Sequence, residues 1–181
     1  MNIFDEFSMT APGRLAKYVG FTENEVRYLC KEYDMPFSEA KKWYDGYRFK
    51  QASHVYNPKS IVDAMTEGEF RSFWTSTETY EALQIYIDLD MDGLKQAIIS
   101  MLAGGMCSVD VGSFQNDMTS FRSKDDILTL MVHLGYLAYD ETDSTVFIPN
   151  EEVRSEFIRA VRNGNRPELV KAIQESWRYF I

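Results

Sequence analysis

Signals that begin helices recur along this chain, and they constrain its fold more than any other feature of the sequence. Thr22 stands three residues before Glu25, and Ser123 stands three residues before Asp126. A hydroxyl and a carboxylate at this spacing can form a capping box, in which each side chain bonds a backbone amide of the first turn. Apolar residues at helical spacing follow each pair, so we expect a mainly α fold. Further helix starts are Asn57-Pro58, Ser76 or Thr77, Asn150 and Pro167. We expect Ile61, Val62 and Met65 to form the apolar face of the helix that Asn57-Pro58 begins.

The last third of the chain has the pattern of a helix, a β-hairpin and a second helix. Apolar residues at helical spacing follow Ser123, and they give way to two short apolar runs at residues 137–140 and 145–148 with a polar turn between them. The helix that begins at Asn150 comes next. This order is typical of the latter part of a winged-helix module.

The glycine pair at Gly104-Gly105 precedes alternating residues from Cys107 to Val111, a pattern that favours a boundary followed by a short strand. We therefore predict two subdomains. Residues 1–105 form a helical lid-like subdomain, and residues 106–181 form a winged-helix-like subdomain with a small β-hairpin.

The charge of the chain argues against unspecific DNA binding. It carries 19 basic and 28 acidic side chains, for a net charge of −9. Affinity for the DNA backbone depends on basic groups that release counterions. A weak basic patch at Arg159, Arg162 and Arg166 leaves a nucleic-acid-binding winged helix as an alternative, although Glu152 and Glu156 share its helix.

The sequence holds no recognisable catalytic or metal motif. No Gly-Lys-Ser or Gly-Lys-Thr occurs, so the loop that binds triphosphates is missing. The two cysteines and two histidines show neither the C-x-x-C nor the H-x-x-x-H spacing of zinc sites. We expect no catalytic residue, no bound cofactor and no metal in this chain.

Two weaker patterns point to metal chemistry, and each has a plainer explanation. Residues 88–93 resemble the opening of a calcium loop, but Ile99 stands where the loop needs a bidentate glutamate. We interpret the segment as a turn before the next helix. Glu39-Ala40-Lys41 matches one element of a metal-dependent nuclease motif, but the residues before it have the pattern of a helix, not of the strand that such a site requires.

An aromatic segment and an Asn-Pro step are the best candidates for an interaction motif. The aromatic side chains on either side of Asp45-Gly46 can fold back on one another, because glycine accepts the backbone geometry of a tight turn. They either fix that turn or line a ligand pocket, and Asp45 is close enough to Arg48 to pair with it. The candidate residues are Trp43, Tyr44, Asp45, Gly46, Tyr47, Arg48, Asn57 and Pro58.

These same segments resemble the predicted AAA-ATPase-like family of bacterial proteins, and the resemblance covers nearly the whole chain. The Trp-Tyr-Asp-Gly-Tyr block and the Asn-Pro step, in this order, are its most specific part. The matching segments are Gly20–Val26, Trp43–Phe49, Val55–Ser60, Phe73-Trp74, His133–Leu137 and Ile148–Glu152.

The resemblance implies a place in a larger protein. In that family a P-loop domain comes first, a helical lid and a winged-helix region follow, and a PD-(D/E)XK-type nuclease domain often comes last. The chain is then a non-catalytic region that couples nucleotide state to contacts with other domains. Its expected partners are the ATPase core and a nuclease domain, and ATP and Mg²⁺ are expected only for the parent protein.

The location follows from the hydropathy of the chain. No apolar run reaches the roughly 18 residues that a membrane helix needs. The first residues lack the basic and then apolar pattern of a signal peptide. We therefore expect a cytoplasmic protein with no membrane partner.

Overall fold

The structure is a computed structural model, and it describes residues 7–74, 87, 91–114, 121 and 123–163. All structural statements below concern these residues. The helix predicted to begin at Ser76 or Thr77, the first part of the calcium-loop pattern, and the final helix predicted from Pro167 lie outside the described residues.

The first helix begins as the capping box predicts. The carboxylate of Glu25 accepts hydrogen bonds from the backbone N–H of Thr22 at 2.8 Å and from its hydroxyl at 2.7 Å. The helix ends before Asp34, which adopts a left-handed φ of 52° ahead of Pro36. The elements here are a 3₁₀ helix Gly13–Tyr18, β1 Phe21–Thr22, α1 Glu23–Glu32 and α2 Phe37–Tyr44.

The Asn-Pro step begins a helix as predicted, but one residue of its expected apolar face points outward. Asn57 Oδ1 accepts a hydrogen bond from the backbone N–H of Lys59 at 3.0 Å, and Gly68 ends the helix with a φ of 72°. Val62 is 51% exposed, whereas Ser60 is buried. Ile61, Ala64 and Met65 pack in the core with α1 and α2, and Ser60 bonds a later helix, as described below. This helix is α3, Pro58–Glu67.

A three-stranded sheet includes the end of the aromatic segment, and sequence reasoning did not predict it. The strands β2 (Tyr47–Phe49) and β3 (Ala52–Tyr56) are antiparallel, and β1 pairs with the other side of β3. Side chains alternate between the two faces of a strand. Val55 therefore packs with Tyr47 on one face, while Tyr56 lies in the helical core on the other.

The second half of the described chain confirms the predicted helix, hairpin and helix. Ser123 and Asp126 form the second capping box, and Asn150 Oδ1 accepts a hydrogen bond from the N–H of Val153 at 3.0 Å. The sheet order is β4-β6-β5, all antiparallel. The elements are α4 Leu94–Leu102, β4 Cys107–Ser108, α5 Lys124–His133, β5 Ala138–Asp140, β6 Thr145–Phe147 and α6 Glu151–Asn163.

The strand predicted from Cys107 to Val111 is shorter than expected. It ends at Ser108, because Asp110 accepts a hydrogen bond from the N–H of Gly112 at 2.9 Å and begins a 3₁₀ turn at Val111. Gly93 is the N-cap residue of α4, in agreement with the interpretation of the calcium-loop pattern as a turn.

Three clusters of buried side chains hold these elements together. One lies among α1, α2 and α3, and a larger one lies among α4, α5, α6 and the hairpin. The third joins the two sheets through Tyr47, Val55, Ala138 and Phe147. The mainly α class is thereby confirmed, whereas the boundary near residue 105 stays a prediction. Among the described residues, no helix combines the length and apolar character needed to span a bilayer.

Removing the cap of α3 should destabilise the protein. We expect Asn57→Ala to lower the free energy of unfolding by about 1 kcal/mol, because two backbone N–H groups lose their acceptor. Urea denaturation measures this difference. Asn24→Ala, at an exposed position in the first turn of α1, is the matched control. Equal losses from both substitutions would contradict the assignment of the cap.

Candidate functional site

The Asp45-Gly46 turn brings the two halves of the described chain into direct backbone contact. Helix α2 ends at Tyr44, Asp45 is extended, and Gly46 has a φ of 122°. A Cβ atom on Gly46 would lie 2.0 Å from the carbonyl oxygen of Pro149. No side chain fits there, so both the backbone angle and the close approach require glycine.

The two tyrosines beside this turn each bond a distant part of the chain. The hydroxyl of Tyr44 donates to the carbonyl of Arg71 at 2.9 Å, and that of Tyr47 donates to the carbonyl of Gly135 at 2.7 Å. Burial raises the pKa of both hydroxyls, so they remain neutral donors. These contacts favour the first of the two predicted roles, a cluster that fixes the turn.

The other candidate residues also have structural contacts. Trp43 is half-buried against Tyr44, with 6.4 Å between ring centroids, and Arg48 lies over the ring of Phe147. Asp45 bonds His54 and not Arg48, so the pairing considered for Asp45 and Arg48 is replaced by a different one.

A small apolar cleft lies beside this segment. Its volume is about 130 Å³, and three of the candidate residues, Tyr47, Asn57 and Pro58, line it together with Trp74. Pockets for nucleotide-sized ligands have volumes of roughly 300–1,000 Å³. This cleft is therefore too small for a nucleotide.

Three side chains with metal-binding chemistry meet on the other side of the turn. Glu23 begins α1, Asp45 follows α2, and His54 lies on β3; their nearest oxygen and nitrogen atoms all lie within 4.8 Å of one another. His54 Nδ1 is 2.8 Å from Asp45 Oδ2 and 3.9 Å from Glu23 Oε2. Sequence reasoning missed this cluster because its members lie on three separate elements.

Basic side chains neutralise the two carboxylates of this cluster. Lys41 Nζ lies 3.2 Å from Glu23 and 4.0 Å from Asp45, and Arg27 donates to Glu23 at 2.7 Å. Hydrogen bonds from Arg27 and then Lys41 lower the pKa of Glu23. Acidic and basic side chains thus alternate in this cluster, which is partly open to solvent.

Two buried glutamates on α6 bind the N-terminal half, and sequence reasoning missed this role. Both side chains are 1% exposed. The carboxylate of Glu152 accepts hydrogen bonds from the Ser60 hydroxyl at 2.7 Å and from the N–H of Phe73 at 3.0 Å. That of Glu156 accepts from the Ser72 hydroxyl at 2.5 Å. The sequence signal was weak: two carboxylates one turn apart on the apolar side of a helix.

Glu156 also binds part of the predicted basic patch. Arg159 donates to the two Glu156 oxygens at 2.9 Å and 3.1 Å, so its charge is already paired. The side chain of Arg162 and the whole of Arg166 lie outside the described residues. The patch as a unit therefore stays a prediction.

Comparison with known proteins found no match: no protein-family model, no curated protein and no solved structure is similar to the chain.

Stability should depend on the ionisation of Glu152. Burial raises the pKa of Glu152 from 4.5 to about 7. Because this folded-state pKa is raised, the contribution of Glu152 to stability is fully present below about pH 4.5 and is lost as the pH rises through 7. We expect Glu152→Gln to become more stable relative to the unmodified protein by roughly 2–3 kcal/mol between about pH 5 and pH 8.

Chemical denaturation at several pH values measures this difference. Glu151→Gln, next to it at a partly exposed position, is the control for removing one charge from the same turn of α6. A difference between Glu152→Gln and the unmodified protein that stays constant with pH would show that Glu152 is ionised throughout.

Gly46→Ala should destabilise the protein more than another glycine substitution at positive φ. Gly68 also has a positive φ, but nothing lies within 4 Å of a Cβ atom placed there. We expect Gly68→Ala to cost about 1 kcal/mol from backbone strain alone, and Gly46→Ala to cost at least about 2 kcal/mol more because Pro149 must move. Thermal unfolding compares the two. Equal losses would mean that the contact with Pro149 is dispensable.

Proposed function

We propose that the chain is the non-catalytic lid and winged-helix region of a P-loop ATPase-like protein, where it couples the nucleotide state of an ATPase core to contacts with other domains. Its partners are that core and a nuclease domain, ATP and Mg²⁺ bind to the core, and the protein is cytoplasmic. The family resemblance of the aromatic segment and the Asn-Pro step underlies this proposal.

Exposed aromatic side chains near α1 carry the proposal. Tyr18 is 72% exposed, Tyr28 is 62% exposed and Tyr33 is 55% exposed. Tyr28 also lines a shallow hollow with Phe21 and Leu29. Tyrosines supply large contact areas with a polar end, and they are enriched where proteins bind one another. We assign this surface to the ATPase core.

The arrangement of the C-terminal half supports the winged-helix-like part of the proposal. A helix and a short strand precede α5, the hairpin follows it, and the early strand β4 pairs with β6 of the hairpin. The hairpin thus forms the outer part of a three-stranded sheet beside a helical core.

The contacts between the two halves support the coupling role. Three contacts join the halves: Gly46 lies against Pro149 just before α6, Tyr47 of β2 bonds Gly135 just after α5, and Ser60 of α3 bonds Glu152 of α6. A displacement of α1 and α2 by a partner would be transmitted through these contacts, because a packed interface moves as a unit.

The alternative, a nucleic-acid-binding winged helix, receives no support from the described residues. A helix that reads a DNA groove must present an exposed face to it. No residue of α5 is exposed, and Arg159 is paired with Glu156. We therefore prefer the coupling role.

The proposal predicts both a neighbouring sequence and an effect of mutation. The reading frame that encodes this chain should carry a Gly-Lys-Ser or Gly-Lys-Thr loop ahead of Met1. In the full protein, replacing Tyr28 and Tyr33 together with serine should change ATP turnover roughly tenfold, the effect of about 1.4 kcal/mol of lost contact free energy. A coupled enzyme assay measures the rate.

Val62→Ser is the matched control, because Val62 is an exposed apolar residue on a different helix. It should leave turnover unchanged. A reading frame with no such loop, or a double serine variant with the same rate as the Val62 variant, would refute the assignment.

A further inference from the structure

We propose that Glu23, Asp45 and His54 bind a divalent transition-metal ion of the zinc class, which takes the place of the Lys41 ammonium. This site is independent of the proposed coupling role. Its ligands are one imidazole nitrogen and two carboxylate oxygens, a donor set that zinc accepts with a water molecule in the fourth position.

The distances between the three ligand atoms suit such an ion. Zinc bonds of about 2.0–2.1 Å place neighbouring tetrahedral ligands roughly 3.3 Å apart. His54 Nδ1 lies 2.8 Å from Asp45 Oδ2 and 3.9 Å from Glu23 Oε2, values on either side of that spacing. Small side-chain rotations therefore bring the three atoms to bonding geometry without movement of the backbone.

The backbone that carries the ligands is held in place before any ion binds. Glu23 is the first residue of α1, directly after the strand β1 that pairs with β3. His54 belongs to β3 itself, and Asp45 Oδ1 accepts a hydrogen bond from the N–H of Gly46 at 2.7 Å. This bond leaves Asp45 Oδ2 for His54 or for a metal ion.

A buried hydroxyl without a partner is an independent sign of a ligand. Tyr56 is fully buried, and its hydroxyl has no hydrogen-bond partner among the described residues. It follows His54 by two positions on β3, so both side chains lie on the same face. A water molecule bound to the metal ion provides this hydroxyl with the partner that it lacks.

Lys41 is the competitor of the metal ion. Its ammonium neutralises the two carboxylates, but its side chain is 43% exposed and can turn into solvent. A divalent ion in its place bonds both carboxylates and His54 directly. Binding must therefore be stronger when Lys41 is absent, because the ion then displaces no bound cation.

Zinc titration of the full chain, followed by competition with a chromophoric chelator, tests the proposal. We expect one ion per chain, with His54→Ala lowering the affinity at least tenfold and Tyr56→Phe lowering it about tenfold. Lys41→Met should raise the affinity about tenfold, the reverse of what loss of an ordinary structural ion pair would do. Zinc should also raise the unfolding temperature of the unmodified protein and not that of the His54 variant.

Two control proteins separate this site from adventitious binding. His133→Ala removes the other histidine, and replacing Cys30 and Cys107 with serine removes both thiols; neither change should alter the affinity. Circular dichroism establishes that each variant is folded. The proposal is overturned if no zinc binds, if the serine variant loses binding, or if Lys41→Met leaves the affinity unchanged.

Discussion

The close approach of Gly46 to Pro149 is the constraint on which the rest of this structure depends. It brings the end of α2 against the backbone that leads into α6, at a separation that excludes any side chain. The residues on either side then face in different directions. Asp45 faces Glu23 and His54, whereas Tyr47 reaches Gly135. One turn therefore positions both the cluster of acidic side chains with His54 and the contact between the two halves.

Buried carboxylates give that contact its specificity. An apolar interface alone accepts many alignments, but a buried carboxylate is costly unless its acceptors are satisfied. Only one alignment of α6 with the N-terminal half lets Glu152 and Glu156 accept hydrogen bonds from Ser60, Ser72 and the N–H of Phe73. The pKa of Glu152 is raised because burial disfavours its ionised form. These polar contacts oppose sliding of α6 along the N-terminal half, as the proposed coupling role requires.

The local signals in the sequence were sufficient for the helices and the hairpin. Capping at Thr22 and Ser123 involves residues three positions apart, so it can be recognised without knowledge of the fold. The contacts of the candidate site are different, because Tyr47 and Gly135 are 88 positions apart and Ser60 and Glu152 are 92 positions apart. No pattern within one segment contains such a pairing. Val62 was wrongly expected in the apolar face of α3, because that helix buries Ile61, Ala64 and Met65 against α1 and α2 and leaves Val62 exposed.

The turn predicted at Asp45-Gly46 is present, but the individual partners of its residues were not predictable. Aromatic side chains beside Asp-Gly indicate a tight turn, and the structure has one. The partner of Asp45 is His54 on a strand that sequence reasoning did not predict, so the cluster with Glu23 could not be foreseen. Sheet formation from strands of three and five residues depends on tertiary packing, which local preference cannot supply.

Native-state hydrogen exchange tests most directly the claim that this turn makes one cooperative unit of the two halves. The backbone amides of Val55 in β3 and Leu130 in α5 report on one half each. We predict equal opening free energies for the two amides, and an equal decrease of both in Tyr47→Phe, which removes the bond to Gly135. Different opening free energies, or a decrease confined to Val55, would contradict the claim.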